Sequence, residues 1–395
     1  MELMERLDIK YDSLIRERDI IELNLFEEAS DILKNNNIMY LSEDPEKEGC
    51  QVIKYNTENI EKIIIRSNGT ATYIAKDIAY ALWKVGLLNR DFYFRKFFEY
   101  GESSTACISD FNKNSEKKNF GKGDKVYTVI DVRQSYLQKI ISEEVIHPLS
   151  NRGNKKEYIH FSYEMVALTP QCVEELGFEV NEEEKQKSYI EVSGRKGRAV
   201  KGSHLIDILT EKSKNEVKKR DPRLSEDDIT SIAKDIAVGA LRYFMIKFNS
   251  NTVISFDFQD ALSFEGDTGP YLQYTMVRIN SIIKKLDKKD TGFFMEGGKI
   301  EELMEDEKAL YFDILLNLSL LEIQVEHAIE KNEISAIASF TYSLCQKFNH
   351  YYHLYPIVSE KNIIYKKIRI NLLILFKKRL AGLFSIMGIP VPFKM

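Results

Sequence analysis

Glu191-Val192-Ser193-Gly194-Arg195-Lys196-Gly197-Arg198-Ala199-Val200-Lys201-Gly202 divides this chain into a β-rich half and a helical half. Three glycines let the backbone approach a ligand and turn its N–H groups inward, and Arg195, Lys196, Arg198 and Lys201 bring four positive charges. The stretch reads as a cradle for a polyphosphate. The structural alternative is a surface loop with stray basic residues, since short basic motifs also match by chance.

On the N-terminal side, Lys62 to Arg66 is a β-branched run that predicts a buried strand, closed by a turn at Ser67-Asn68-Gly69-Thr70. A second short strand is expected at Ala71 to Ile74 and a helix from about Asp77 to Val85. Residues 109–124 are rich in Lys, Asn and Gly and read as a surface loop, after which Val126 to Asp131 predicts another buried strand and Gln134 to Glu144 a helix. Strand alternating with helix predicts a parallel sheet, with ligands at the carboxyl ends of its strands. Tyr73, Asp77, Asp131 and Gln134 lie at or just beyond such ends.

On the C-terminal side the pattern turns helical. Ser225 to Asp228 has the Ser-x-x-Asp form of a capping box, and Ile229, Ile232, Ala233, Ile236, Ala237 and Ala240 then repeat at helical spacing. No proline occurs between Pro270 and Pro356 and no glycine between Gly298 and Gly382, which predicts a helix bundle. The charged, glycine-containing stretch Lys288 to Lys299 is a candidate linker.

Residues 1–60 form a polar, helix-prone segment with no evident chemistry. Composition narrows the class. With 44% hydrophobic and 30% charged residues, neither disorder nor a membrane protein is indicated, and the acidic opening has no apolar core of a secretory signal, so the cytoplasm is the expected location. The four cysteines, Cys50, Cys107, Cys172 and Cys345, have no paired spacing, and no metal site is expected. A net charge of −5 confines any nucleic-acid contact to local patches, for which Lys218-Lys219-Arg220 and Lys377-Lys378-Arg379 are candidates.

Several stretches, in order along nearly the whole chain, resemble arginyl-tRNA synthetase, a class I aminoacyl-tRNA synthetase. Arg66 to Tyr80 is similar to the family's RSDGTxTYxxxDIAY segment, Asp131-Val132-Arg133-Gln134 to its DxRQ strand end, and Val192 to Gly197 to its form of the KMSKS loop. Phe264 to Tyr274 resembles the entry to the anticodon-binding domain, and Met387-Gly388-Ile389-Pro390 through Lys394-Met395 the family's ending in Met. The resemblance implies a partial Rossmann-like α/β catalytic domain followed by an all-α anticodon-binding domain of the DALR type. It divides the chain into an insertion-like helical segment (1–60), the C-terminal half of the catalytic domain with its KMSKS-like loop at 192–197 (61–262), and the anticodon-binding domain (263–395).

The family assigns roles that the chemistry supports. Tyr73, Asp77 and Gln134 would bind arginine, because a carboxylate takes the planar guanidinium as a fork. His160, Met165, Val166 and Lys196 would bind ATP, with Mg2+ accompanying the nucleotide, and Ser193, Arg195 and Lys196 would stabilise charge as the arginine carboxylate attacks the α-phosphate. Tyr271, Gln273, Tyr274, Tyr352 and Met395 would meet tRNA-Arg, since aromatic rings stack on splayed bases. The structural alternatives are a helix N-cap for Asp77, a solvated first-turn residue for Gln134, a structural role for His160, and core aromatics for Tyr271 and Tyr274. The implied protein is a monomer with no membrane contact, whose substrates are arginine, ATP and tRNA-Arg.

The sequence departs from the family at two places that matter. His-x-Gly-His, the other class I motif, occurs nowhere in the 395 residues, and Met1 to Arg18 resembles a segment from inside the family's catalytic domain. Gly194 stands where the common class I loop has its second lysine. The expectation is therefore an arginine–tRNA ligase whose remaining half is a separate polypeptide or is missing; the alternative is a tRNA-binding protein without ligase activity. Asn68 in place of the family's Asp is a lesser change at a turn that accepts either residue.

Overall fold

The structure is a computed structural model that describes residues 1–55, 60–101, 104–150, 155–192, 198–286 and 300–395. The chain divides into two compact units, Met1–Tyr163 and Glu164–Met395.

Among its described residues the first unit holds eight strands: β1 (Ser13–Leu14), β2 (Met39–Leu41), β3 (Gln51–Tyr55), β4 (Ile60–Ile65), β5 (Tyr93–Tyr100), β6 (Ser104–Asp110), β7 (Lys125–Asp131) and β8 (Glu157–Tyr163). They pair as β1-β6-β5, β2-β3-β4 and β7-β8. Only part of the expected parallel sheet is found: β7 and β8 are parallel, as are β1 and β6, but β4 pairs antiparallel with β3. Tyr73 and Asp77 thus follow an antiparallel strand.

The turn after β4 forms as expected, with the Gly69 amide donating to the Arg66 carbonyl and Gly69 at φ +81. The strand expected at Ala71 to Ile74 shrinks to one bridge between Ile65 and Ala71, and the helix begins earlier, at Tyr73, and runs to Lys84. Thr72 explains the early start. Its hydroxyl lies 3.1 and 3.0 Å from the carbonyls of Ile63 and Ile64, and its amide donates to Ile64, so the helix entry is tied to the end of β4. Ile74, Ala75, Ile78, Ala79 and Leu82 then bury one face in a core shared with Leu25, Leu33, Phe92 and Ile141.

The helix expected at Gln134 to Glu144 is built in pieces: a 3-10 turn Val132–Gln134, an α-helix Ser135–Lys139, and a π-helical segment Ile140–Ile146. The stretch from Phe161 to Val166 is not one strand and is interrupted at Glu164 and Met165. Its first part belongs to β8, and its second starts β9 (Val166–Leu168) in the other unit.

In the second unit β9 pairs in parallel with β10 (Ile254–Phe256), and long helices supply the rest. Ser225 caps the Glu226–Ile246 helix, its Oγ accepting from the Asp228 amide, as the sequence predicts. The expected bundle is present in the helices Gly269–Lys284, Glu305–Ser319, Leu321–Lys331, Ser335–Leu354 and Ile363–Met387, around Leu272, Ile279, Phe348, Leu373, Phe376 and Leu383. The candidate linker Lys288 to Lys299 lies outside the described residues. No described helix is long and apolar enough to cross a membrane.

The Glu226–Ile246 and Gly269–Lys284 helices approach through paired glycines. A Cβ on Gly239 would collide with the Gln273 amide, and one on Gly269 with the Gly239 carbonyl. Alanine in a helix interior ordinarily gains about 1 kcal/mol over glycine. Here we expect Gly239→Ala to lose about 1–3 kcal/mol through overpacking, read as a lowered midpoint in denaturant with unchanged slope.

Candidate active site and nucleic-acid interface

Opposite its buried face, the Tyr73–Lys84 helix presents Tyr73, Asp77, Tyr80 and Lys84, at spacings of four, three and four residues. Tyr73 is 61% exposed. The Lys62 ammonium stands 5.9 Å from the Tyr73 ring and 5.7 Å from the Tyr136 ring, so the entry of this helix and the Ser135–Lys139 helix meet across one lysine.

Asp77 is the fifth residue of the helix, and Thr72 holds the N-cap position, so the capping alternative is excluded. Among the described residues its carboxylate closes no ion pair and accepts no hydrogen bond. Although the residue reaches solvent, desolvation by the protein around it pushes the carboxyl above the usual range; Glu17 adds to the rise, and Lys84 and Lys76 oppose it.

Below it, the Lys84 ammonium lies 4.2 Å from the Tyr80 ring and 5.8 Å from that of Tyr158 on β8. Burial pushes Lys84 down, against the pull of Asp77, and pushes Tyr80 up to about 12. Tyr80 and Lys84 were not among the sequence candidates. Their spacing from Asp77, three and seven residues, is the signal that identifies them.

Asp131 ends β7 and organises the turn that carries Gln134. Its Oδ1 accepts from the Arg133 amide and Nε, both at 2.8 Å, and its Oδ2 from Nη2 at 2.7 Å, which holds the carboxyl down at about 2. Gln134 is exposed at the last position of that turn. His160, half-buried on β8, has Nε2 3.0 Å from the Ile130 carbonyl; this contact makes Nε2 the protonated nitrogen and fixes the ring against β7.

In the second unit, the Ile254 amide donates to the Met165 carbonyl, and Val166 opens β9. In a parallel ladder Ile254 therefore bridges Met165 and Ala167, which turns the N–H and C=O of Val166 to the edge away from β10. Ser193, Gly194, Arg195, Lys196 and Gly197 lie outside the described residues, while Gly202 opens the helix Gly202–Arg220. Beyond the loop, Arg198 binds Glu184 through two nitrogens at 2.6 and 3.0 Å and the Glu179 carbonyl at 2.8 Å. It borders a cavity of about 460 Å3 lined by Glu184, Lys187, Tyr189, Ile190 and Glu191.

The residues expected at the tRNA fall into three environments. Tyr271 and Tyr274, both half-buried, belong to a polar network. Asn349 Nδ2 donates to Tyr271 Oη at 3.1 Å, and Arg278 donates to Asn349 Oδ1 at 2.9 Å and to Tyr274 Oη at 3.1 Å, with its guanidinium 4.7 Å from the Tyr274 ring. Tyr352, also half-buried, stacks on Phe348 with ring planes 6° apart. Met395 packs beside Val217, Ile232 and Phe264, and Lys394 is anchored to Asp221 at 2.6 Å.

Gln273 is the exception. Fully buried, it donates both amide hydrogens, to the carbonyls of Asp235 and Pro390 at 2.8 Å each. The expectation that it meets tRNA is corrected by this geometry: the side chain joins two helices to the C-terminal segment and offers nothing to solvent. Of the basic clusters, Lys218 pairs with Glu226, Lys219 with Glu216 and Arg379 with Glu322, while the Arg220 guanidinium sits 3.7 Å from the Phe264 ring.

Comparison with known proteins extends this picture. Residues 272–395 match the DALR anticodon binding domain. Together with the α/β first unit, that match makes the chain similar in plan to an aminoacyl-tRNA synthetase. The particular likeness is to arginyl-tRNA synthetase. The chain is 29% identical over 407 residues to an arginine–tRNA ligase of Pyrococcus furiosus, covering 100% of itself and 60% of that protein. The Thermus thermophilus arginyl-tRNA synthetase structure superposes with a TM-score of 0.82 at 27% identity, covering 100% of this chain and 62% of that one. The Plasmodium falciparum arginyl-tRNA synthetase, at 18% identity and a TM-score of 0.69, shares the fold. The chain thus spans about three-fifths of the length of the curated relatives it matches.

Proposed function

We propose that this chain is the arginine- and tRNA-recognising part of an arginine–tRNA ligase. The observation that carries the reading is Asp77. A solvent-reaching carboxylate with no ion pair among the described residues, pushed above its usual range by desolvation and sharing a helix face with Tyr73, is matched by a guanidinium: the cation supplies the counter-charge that the carboxylate lacks. A purely tRNA-binding protein has no use for such a carboxylate, which favours the ligase over the non-catalytic alternative.

In the proposed reaction Tyr73, Asp77 and Gln134 orient arginine, and His160, Met165 and Val166 receive ATP. Ser193, Arg195 and Lys196 steady the phosphates while pyrophosphate leaves, with Mg2+ accompanying the nucleotide. No side chain acts as a nucleophile; catalysis rests on positioning and on charge. The three-part division at residues 60 and 262 is the functional division we propose for the chain.

The Tyr271–Tyr274–Arg278–Asn349 network and Tyr352 form the proposed tRNA face, with Met395 at its C-terminal end. Tyr352→Ala removes a half-buried ring that stacks on one neighbour, so folding should lose little. One lost base stack is expected to weaken tRNA-Arg binding by about 1–3 kcal/mol, on the order of ten- to a hundredfold. Filter binding and thermal melting, run together, separate the two effects. Unchanged tRNA affinity with a lowered melting temperature would assign the ring to packing alone.

A further inference from the structure

Asp77 shares its helix with a second, opposite charge. Lys84 follows seven residues later, two turns and about 10 Å of rise along the same face of the Tyr73–Lys84 helix. Helical side chains lean toward the N-terminus, so Lys84 reaches back along this face in the direction of Asp77. Its ammonium stops 4.2 Å from the ring of Tyr80, one turn back, and 5.8 Å from the ring of Tyr158 on β8. Both rings are held. Tyr80 stacks on Trp83 with ring planes 12° apart, and Tyr158, 7% exposed, donates its hydroxyl to Oε1 of the buried Gln138 at 3.5 Å.

Among the described residues the Lys84 ammonium closes no ion pair. A cation packed against two aromatic rings, with no carboxylate in direct contact, is costly to keep charged. Burial pushes it down, and the Asp77 carboxylate pulls it back up. The coupling acts on Asp77 as well, where Lys84 and Lys76 oppose desolvation and the charge of Glu17, brought in by the Glu17–Glu22 helix. Lys76 is engaged by Glu17 at 2.5 Å, so those two charges offset each other. Lys62, from β4, is turned to the rings of Tyr73 and Tyr136. Lys84 is left as the fixed positive charge behind the carboxylate.

The protonation state of Asp77 decides what fits it. An ionised carboxylate only accepts hydrogen bonds, which suits the donor-only fork of a guanidinium; a protonated one also donates, which suits a neutral urea group with its carbonyl oxygen. We propose that Lys84 is a positioning residue for Asp77: held against two tyrosine rings, it is the built-in counter-charge that makes the site select a guanidinium over a urea group of the same shape. The inference rests on Asp77 as the arginine receiver proposed above and names the residue that sets its selectivity.

The test is calorimetric titration of the 395-residue chain with arginine and with citrulline, at intervals from pH 4 to 8. In the unaltered chain the ratio of the two affinities should rise with pH as Asp77 ionises. Lys84→Met keeps much of the stem without the charge. It should move the midpoint of that rise up by about one pH unit, the low end of what an opposite charge does to a carboxyl. The ratio reached at high pH should not fall, because removing a like charge does not weaken the hold on a cation. Lys84→Arg should return the midpoint to that of the unaltered chain. A midpoint that Lys84→Met leaves in place, or that Lys84→Arg shifts as far, would overturn the inference, since a packing role lowers the melting temperature or the final ratio without moving the midpoint. If Lys84→Met does not fold, nuclear magnetic resonance of the Lys84 side chain in the unaltered chain decides. Arginine neutralises Asp77, so Lys84 should titrate at lower pH with arginine bound than with citrulline bound; equal titration would overturn the inference. An unaltered chain that does not distinguish the two ligands at any pH would sink the functional reading of Asp77 itself. Discrimination with an unmoved midpoint sinks only the role of Lys84.

Discussion

Glu307→Gln should lower the stability of the helical unit by up to about 3–5 kcal/mol, because it strips a buried guanidinium of its fully buried, two-pronged carboxylate and leaves it only the partly exposed Glu360. Glu307 is fully buried in the Glu305–Ser319 helix, and Arg369, 4% exposed, reaches it from the Ile363–Met387 helix. Arg369 Nε and Nη2 bind the two carboxylate oxygens at 2.6 and 2.7 Å, and the Tyr351 hydroxyl donates to Glu307 Oε1 at 2.8 Å. Nη1 is also held, by Glu360 at 2.6 Å and the Pro356 carbonyl at 3.0 Å. The amide keeps the shape but loses the charge and turns hydrogens toward a cation. For a unit of this size the loss corresponds to a fall in melting temperature of about 6–20 °C. Replacing both partners, Glu307→Leu with Arg369→Met, should recover most of it, since two apolar side chains carry no desolvation cost. A double variant as unstable as the single one would mean that the pair is net stabilising beyond its own desolvation.

Asp77→Asn carries the second large effect, this time on ligand binding. A bidentate charge-assisted pair with a guanidinium contributes on the order of 3 kcal/mol, so arginine affinity should fall by about a hundredfold. The direction of the Asp77 shift also fixes the pH dependence. The folded carboxyl titrates above its unfolded value, so the fold favours the protonated form, and stability is lost as pH rises from the unfolded value through the raised folded one. Arginine binding requires the ionised form and strengthens over the same interval. Asp77→Asn should therefore stabilise the first unit slightly while abolishing the rise of arginine affinity with pH. Melting curves and binding isotherms taken across pH 4 to 8 read both quantities.

What could be read from the sequence followed from local rules. The Ser225 cap, the turn at Gly69 and the proline-free helical bundle depend on nearest neighbours, and each formed where its residues indicate. Strand partners were less accessible. β4 is a β-branched run in either orientation, and its antiparallel pairing depends on β3, whose residues Gln51–Tyr55 sit in a segment that reads as polar. The β5–β6 hairpin was missed for a similar reason: Arg95, Lys96 and Glu99 dilute its apolar pattern. The start of the Tyr73–Lys84 helix was misplaced because Thr72 spends its hydroxyl on two strand carbonyls, a long-range contact.

The candidate site follows the same division. The spacing of Tyr73 and Asp77 puts them on one helix face, and the sequence conveys that directly. It does not convey that Asp77 has no ion pair among the described residues, that Lys84 is caged by Tyr80 and Tyr158, or that Gln273 is spent on two carbonyls in the core, since each depends on what another element brings to the same place. Tyr127 and Val129 look like core residues in sequence and lie exposed in the structure.

Calorimetric titration of the chain at pH 7.5 with arginine and with citrulline, its neutral isostere, tests most directly whether Asp77 is a guanidinium receiver. The account predicts that arginine binds at least tenfold more tightly than citrulline and that Asp77→Asn erases the difference; equal binding of the two ligands by the unaltered chain would contradict it.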